Sequence, residues 1–258
     1  MKKIISLASG FSLVLAAVAG GAYLGGNSSS KPTASDSRLE SVVLGSSLSL
    51  LPSESAEDWA AYADLVAVVS VTSERAEAIP EDELERGEGN IKRYVGLRID
   101  ELIWSRNESA GIESLTMQTP GWVWKDHDPT RRQKFALGER SRFEVGNQYL
   151  VALAKFPGIT EAQAAICGDS ARPALWGPVG DEAMLPIENG ILGQGEMEGV
   201  EVSQKELQAF LAAHGDGGGT SFRSLIVGRD VGDLAPLLEV AAKNAGQKEI
   251  PTFDCAAK

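Results

Sequence analysis

The clearest pattern along the chain is a series of short apolar or alternating segments, each bounded by polar turn residues. Alternation with a period of two, or a short run of β-branched residues, predicts a β-strand. The segments that share this pattern are residues 64–74, 92–104, 113–121, 149–154 and 184–192. The phase of the second segment slips at Asp100 and Glu101, which predicts a bulge. Pro120 and Gly121 are expected to end the third segment.

The segment from Tyr149 to Ala154 differs from the others because it has almost no polar position. A strand of this composition is covered on both faces. The last segment carries Asn189 and Gly190 between apolar pairs, which predicts a tight hairpin. Several such strands, without regularly alternating long helices, predict a small closed β-barrel. The expected fold class is therefore mainly β with added helices (α+β).

Two patterns precede or interrupt the strands. The acidic residues between Ser53 and Asp58 are typical of a helix start, because carboxylates are favourable near a helix N-terminus. The acidic stretch 79–90 is predicted to be a loop with a solvated surface.

The C-terminal part has a different character. Ser203 and Glu206 form a predicted capping box ahead of a helix. Residues 222–228 are predicted to form a strand, and residues 233–246 an amphipathic helix that ends near its glycine.

The N-terminus has the features of an export signal. Lys2 and Lys3 precede an apolar run, Ile4–Gly26, that carries no charge. Small residues up to Ala19 fit a cleavage site, whereas the length of the run also fits a membrane anchor helix, since about 20 residues span a bilayer. Both alternatives stay open. Either one places the body of the protein on the outer face of the cytoplasmic membrane or in the medium.

These patterns predict four parts of the chain. In order, they are a signal peptide or anchor helix (1–26), a flexible polar tether (27–52), the β-barrel domain (53–200) and a helical extension packed on the barrel (201–258).

The net charge and the cysteine content restrict the classes of partner and site that are expected. The net charge is −12, and an acidic body repels phosphate backbones and anionic lipid, so a nucleic-acid partner is not expected. The two cysteines, Cys167 and Cys255, predict one disulfide outside a reducing cytoplasm, with two free buried thiols as the alternative. Neither has a second cysteine or a histidine nearby, so no metal site and no cofactor are predicted.

A resemblance rests on three groups of residues. These are Trp59 with Tyr62–Val66, Val145 and Gly146 with Tyr149–Val151, and Pro186–Ile191. Together they resemble exported Gram-positive bacterial proteins of unknown function that have an OB-like (netrin-like) β-barrel. The resemblance covers roughly residues 59–192. It implies an OB-like closed barrel and carries no catalytic residue.

The most site-like cluster in the sequence lies between the third and fourth predicted strands. Trp122, Trp124 and His127, beside Asp126 and Asp128, have the chemistry to bind a sugar or a peptide, or to hold a cation. The alternative is a solvated loop whose tryptophans cover the end of the barrel.

These observations predict a non-enzymatic binding or accessory module of the cell envelope, with an envelope protein or a polysaccharide as its partner. If the N-terminal helix is not cleaved, the membrane is a further partner. One alternative is an extracytoplasmic hydrolase that uses the carboxylates near Asp126 and Asp128. Another is a structural subunit of a membrane complex. A serine hydrolase is not expected, because neither His127 nor His214 stands in the required relation to Ser170.

Overall fold

The computed structural model describes residues 42–46, 51–107, 111–167, 171–214 and 221–251. Its strands are β1 (Val42–Gly45), β2 (Leu65–Ala76), β3 (Gly89–Ser105), β4 (Ser114–Trp124), β5 (Gln133–Leu137), β6 (Gln148–Phe156), β7 (Leu175–Pro178), β8 (Met184–Glu188), β9 (Ile191–Leu192), β10 (Gly195–Met197) and β11 (Val200–Val202). Its helices are α1 (Ala56–Tyr62), α2 (Glu81–Arg86), α3 (Glu161–Cys167), α4 (Gln204–His214), α5 (Phe222–Ile226) and α6 (Leu234–Ala245). This is a mixed α+β structure with a large sheet, as the coarse fold class predicted.

Two predictions concern residues that the structure does not describe. Residues 1–26, with the expected hydrophobic helix, lie outside the described residues, and so do Cys255 and the side chain of Cys167. The disulfide therefore stays a prediction. Of the helices in the described ranges, none is long and apolar enough to cross a membrane.

The sheet contains nine of the described strands in the order β1-β5-β4-β3-β2-β6-β8-β9, with β7 beside β6. Ladders join β2 to β3, β3 to β4, β2 to β6 and β6 to β7. A single residue pair, Met117 with Trp176, joins β4 to β7 and completes a ring of these strands. The expectation of a cleanly closed barrel is wrong, because β7 has only four residues and the end of β4 pairs with β5 instead.

Bulges determine which residues face the interior of the ring. The predicted slip in β3 is confirmed, since Val68 pairs with Glu101 and Val69 with Ile99, which leaves Asp100 as the extra residue. The predicted end of the next strand at Pro120 and Gly121 is wrong, because β4 continues to Trp124. Gly121 is instead the extra residue of a second bulge. A Cβ on Gly121 would lie 2.5 Å from the carbonyl oxygen of Ile91, so only glycine fits there.

The centre of β6 is buried on both faces, as predicted. Its residues alternate between a ring core, which holds Tyr149, Val151 and Leu153, and a helix-side core, which holds Leu150, Ala152 and Ala154. The helix-side core also contains Trp59 of α1 and Phe222 of α5, whose rings meet edge to face at 5.0 Å. The helices therefore cover the face of β6 that points away from the ring.

The predicted helix start at residues 53–58 and the predicted capping box at Ser203 are confirmed. Ser55 and Asp58 form a reciprocal capping box at the start of α1, and Ser203 and Glu206 form one at the start of α4. The backbone φ of Asn189 is 54° and that of Gly190 is 78°, the left-handed pair that a two-residue hairpin between β8 and β9 needs.

Three expectations differ from the structure. Residues 81–86, within the predicted acidic loop, form α2, which an Arg86–Asp82 ion pair stabilises and Gly87 ends with a left-handed φ of 79°. Residues 222–226, predicted as a strand, form α5, with the Ser221 hydroxyl accepting a hydrogen bond from the backbone N–H of Ser224. Residues 42–45, within the expected tether, form β1 and pair in parallel with β5.

Candidate functional site

The two tryptophans of the predicted site are held by the end of β4. The bulge at Gly121 places Trp122 opposite Ile91 and Trp124 opposite Gly89. Trp124 is 3% exposed, and its indole N–H has no hydrogen-bond partner among the described residues. The guanidinium groups of Arg132 and Arg142 lie 4.0 Å and 5.5 Å from the centre of the Trp122 ring. These contacts favour the interpretation of the tryptophans as part of the packing, because Trp124 is buried and the half-buried Trp122 ring already contacts two arginines.

His127 has different neighbours. Its backbone N–H donates to the carbonyl of Gly87 at 2.8 Å, and its ring lies against Gly87, where a Cβ would clash with it. His127 thus holds the end of α2 against the loop after β4.

The neighbouring carboxylates do not have the properties of an acid–base pair. The Asp128 carboxylate accepts hydrogen bonds from the hydroxyl and the backbone N–H of Thr130, which lower its pKa. A general acid needs a raised pKa, so Asp128 is poorly suited to protonate a leaving group. Asp126 is exposed and has a left-handed φ of 62°.

A groove of about 660 Å³ lies elsewhere, where the start of β6, the β8–β9 hairpin and the β10–β11 hairpin meet. We call it the hairpin groove. Most of its lining side chains are amides, hydroxyls and carboxylates: Ser70, Asn147, Gln148, Glu188, Asn189, Gln194, Glu196, Glu201 and Ser203. Sequence patterns do not reveal this groove, because its lining residues come from distant segments of the chain. The only local signal was the concentration of Asn, Gln and Gly at the turns.

One wall of the groove is fixed by Asp100. Its carboxylate accepts hydrogen bonds from the Ser70 hydroxyl, from the Gln148 amide at 3.0 Å and from the Arg98 guanidinium at 2.7 Å. Burial alone would raise the pKa of Asp100, but these hydrogen bonds outweigh it and lower the pKa. The side chains of Ser70 and Gln148 are therefore held in place before any ligand arrives.

The floor of the groove is Glu196, which is 2% exposed. Its carboxylate accepts hydrogen bonds from the backbone N–H groups of Arg142, Phe143 and Gly199 and from the Tyr149 hydroxyl at 2.7 Å. Phe143 has a φ of 65°, and successive N–H groups in such a conformation form a concavity that binds anions. Burial raises the pKa of Glu196, whereas the Tyr149 hydroxyl and the backbone donors favour its charged form.

Tyr149 stays protonated and can only donate to this carboxylate. Burial raises its pKa, and the nearby charge of Glu196 raises it further. The same hydroxyl accepts a hydrogen bond from the backbone N–H of Glu144 at 2.9 Å. Glu196 and Tyr149 therefore fasten the β10–β11 hairpin to the segment before β6 and fix the shape of the groove.

Two buried arginines hold that segment from the other side. Arg142 donates to the carbonyls of Phe135 and Gly121 and to the carboxylate of Glu144. Arg93 donates to the carbonyl of Arg142. All these groups bind parts of the protein itself, so we assign them a structural role.

The hairpin groove has no cationic side chain in its lining. No lysine or arginine lines it, so its donors are amides and hydroxyls and its charged groups are carboxylates. In the part of the chain that the structure describes, no group of three or more His, Cys, Asp or Glu side chains could hold a metal ion. No protein-family model matches the chain, and neither curated proteins nor solved structures gave a significant match.

Proposed function

We propose that the protein is an exported, non-enzymatic binding module of the bacterial cell envelope, and that its hairpin groove binds a polysaccharide. The observation that carries the proposal is the groove itself, about 660 Å³ in volume and lined mainly by amides, hydroxyls and carboxylates. Such groups donate to and accept from sugar hydroxyls. Asp100 holds the side chains of Ser70 and Gln148 in place in advance, which reduces the entropy cost of binding.

The lining favours a polysaccharide over a protein partner. Protein interfaces obtain most of their binding energy from a few aromatic or arginine anchors. The groove lining contains neither, and its larger aliphatic side chains are only Ile187 and Val202. The carboxylates of Glu188 and Glu201 also disfavour an anionic polymer. The expected ligand is therefore uncharged or amine-bearing.

The arrangement of strands supports the further proposal that the ring is an OB-like (netrin-like) barrel. OB barrels have five strands and are partly open, and many bind oligosaccharides. The ring of β2, β3, β4, β7 and β6 has the same number of strands, and only the Met117–Trp176 pair closes its last seam. Fold alone does not fix function, so the groove remains the main argument.

A binding experiment tests this proposal. The full chain is titrated with a neutral glucan, an amino-sugar polymer and a phosphate-bearing polymer, and heat release is measured. We expect saturable binding of one of the first two and none of the third. The double variant Gln194→Ala/Glu201→Ala removes one half-buried and one exposed side chain of the groove and should weaken binding about tenfold or more, since each lost hydrogen bond contributes roughly 1 kcal/mol.

The control is Gln208→Ala/Glu239→Ala, which changes the same residue types at exposed positions on α4 and α6. It should bind like the original chain. The proposal fails if no polysaccharide binds, or if the groove variant binds as well as the control. Crosslinking of the groove to an envelope protein instead would favour the protein partner.

A further inference from the structure

A second, smaller cavity lies along the open part of the seam between β4 and β7. Residues 117–120 of β4 form one side, and Pro178 of β7 forms part of the other. Its volume is about 80 Å³. We call it the seam cavity. Since one water needs roughly 15 Å³ by this kind of measure, the space holds about five waters or a molecule of about as many heavy atoms.

The two ends of the seam cavity differ in chemistry. Met117, Phe143 and Met184 belong to the ring core and make its inner end apolar. Thr119 and Arg140 lie among the polar residues that line it. Methionine side chains are flexible and polarisable, so the apolar end can adapt to the shape of a small ligand.

Arg140 is the least satisfied charged group at this cavity. It pairs with Asp181, and its side chain is 19% exposed. Its Nε–H is buried and has no hydrogen-bond partner among the described residues. By contrast, the neighbouring Arg142 uses its Nε and both of its terminal nitrogens in hydrogen bonds to the protein. A buried donor without a partner is uncommon, and one on a residue that lines a cavity can bond an acceptor that enters the cavity from outside the chain.

Arg140 is positively charged at neutral pH. Burial lowers its pKa to about 10, so the guanidinium stays protonated. An anionic acceptor would form a charge-assisted hydrogen bond with it, which is stronger than a bond between neutral groups.

We propose that the seam cavity binds a short-chain carboxylate, whose charged group accepts a hydrogen bond from the Nε–H of Arg140 and whose alkyl end contacts Met117 and Met184. The apolar end distinguishes this ligand from a bare inorganic anion. The positive charge of Arg140 distinguishes it from an alcohol or an amine of the same size. The site is separate from the hairpin groove, and its existence does not depend on the function proposed above.

Methionine NMR tests this proposal directly. The chain has four methionines, and the full chain is labelled with 13C in their methyl groups. Met117 and Met184 line the cavity, whereas Met197 is buried in the helix-side core and serves as an internal control. Titration with butyrate should shift the Met117 and Met184 signals saturably and leave Met197 unchanged. Butanol, butylamine and inorganic phosphate should not reproduce these shifts.

The matched variants are Arg140→Gln and Arg131→Gln. Arg131 is exposed in the loop between β4 and β5 and does not line the cavity. Arg140→Gln should weaken butyrate binding at least about tenfold, whereas Arg131→Gln should not change it. The proposal is overturned if butyrate shifts neither signal, if butanol or phosphate acts like butyrate, or if Arg140→Gln binds as tightly as the original chain. If Arg140→Gln does not fold, the comparison of butyrate with butanol and butylamine in the original chain still decides.

Discussion

Glu196 shows how one side chain can hold several segments together. It lies on β10, yet its carboxylate accepts hydrogen bonds from the segment before β6, from β6 itself and from the turn between β10 and β11. Phe143 is fully buried against Tyr149, with ring centres 4.8 Å apart, although its φ of 65° is unfavourable for a bulky residue. The surrounding contacts must therefore offset the cost of that backbone conformation.

At this scale we predict the effect of Glu196→Gln. The change replaces one acceptor oxygen by an NH₂ group, which then faces buried backbone donors. The unfolding free energy should fall by about 3 kcal/mol, which is the upper end of the usual cost of leaving a buried donor without an acceptor. Urea denaturation measures the loss. The control is Glu201→Gln, because Glu201 is exposed and lies on β11 directly opposite Glu196. This change should alter the unfolding free energy by less than about 0.5 kcal/mol. Equal stability of the two variants would contradict the structural role of Glu196.

At the scale of elements, β4 decides the role of the tryptophans. Without the bulge, strand alternation would place Trp122 and Trp124 on the face opposite to Arg93. With Gly121 as the extra residue, they share the face of Ile91 and Arg93. Arg142 then reaches Trp122, and Trp124 becomes buried.

This position predicts the effect of changing the tryptophans. Trp124→Ala should lower the unfolding free energy by about 3–5 kcal/mol, the usual cost of truncating a buried aromatic side chain. The triple variant, with Trp122, Trp124 and His127 all changed to Ala, should lose at least as much unfolding free energy. The molecules of this variant that remain folded should bind polysaccharide as the original chain does. Thermal unfolding and calorimetric titration measure the two effects. An unchanged melting temperature with lost binding would instead identify these residues as the binding surface.

At the scale of the whole molecule, the helices and the ring share one buried surface. Arg223 of α5 is 1% exposed and donates to the carbonyl of Glu139, so the helical part is joined to the loop after β5 by a charged group as well as by apolar contacts. Some of the carboxylates that give the protein its large negative charge have hydrogen-bonding or cationic partners. Burial alone would raise the pKa of Glu144, but Arg142, Lys134 and Arg93 outweigh it and lower the pKa. The pKa of Asp100 and that of Asp128 are lowered as well.

These shifts predict how stability depends on pH. A carboxyl group whose pKa is lower in the folded state contributes stability above its unfolded pKa, near 4, and loses it as pH falls through the folded value. The contribution of these groups to the urea midpoint should therefore be lost as the pH falls below about 4. Asp100→Asn should show a shallower acid decline than the original chain, whereas Asp126→Asn, at an exposed position, should follow the original curve. An acid decline of the same depth in Asp100→Asn would contradict the contribution of Asp100.

Features that depend only on neighbouring residues were predictable from the sequence alone. The helix start within residues 53–58, the capping box at Ser203, the Asn189–Gly190 hairpin, the bulge at Asp100 and the doubly buried β6 all follow from local hydrogen bonding or from the period of apolar positions. Long-range packing, in contrast, sets three other features: Gly121 continues β4 through a bulge, residues 222–226 are helical, and a single residue pair joins β4 to β7 in the ring. The hairpin groove, the seam cavity and the Glu196 network belong to this second group. Each brings together segments tens of residues apart in sequence, and no local pattern records which partners the folded chain places in contact.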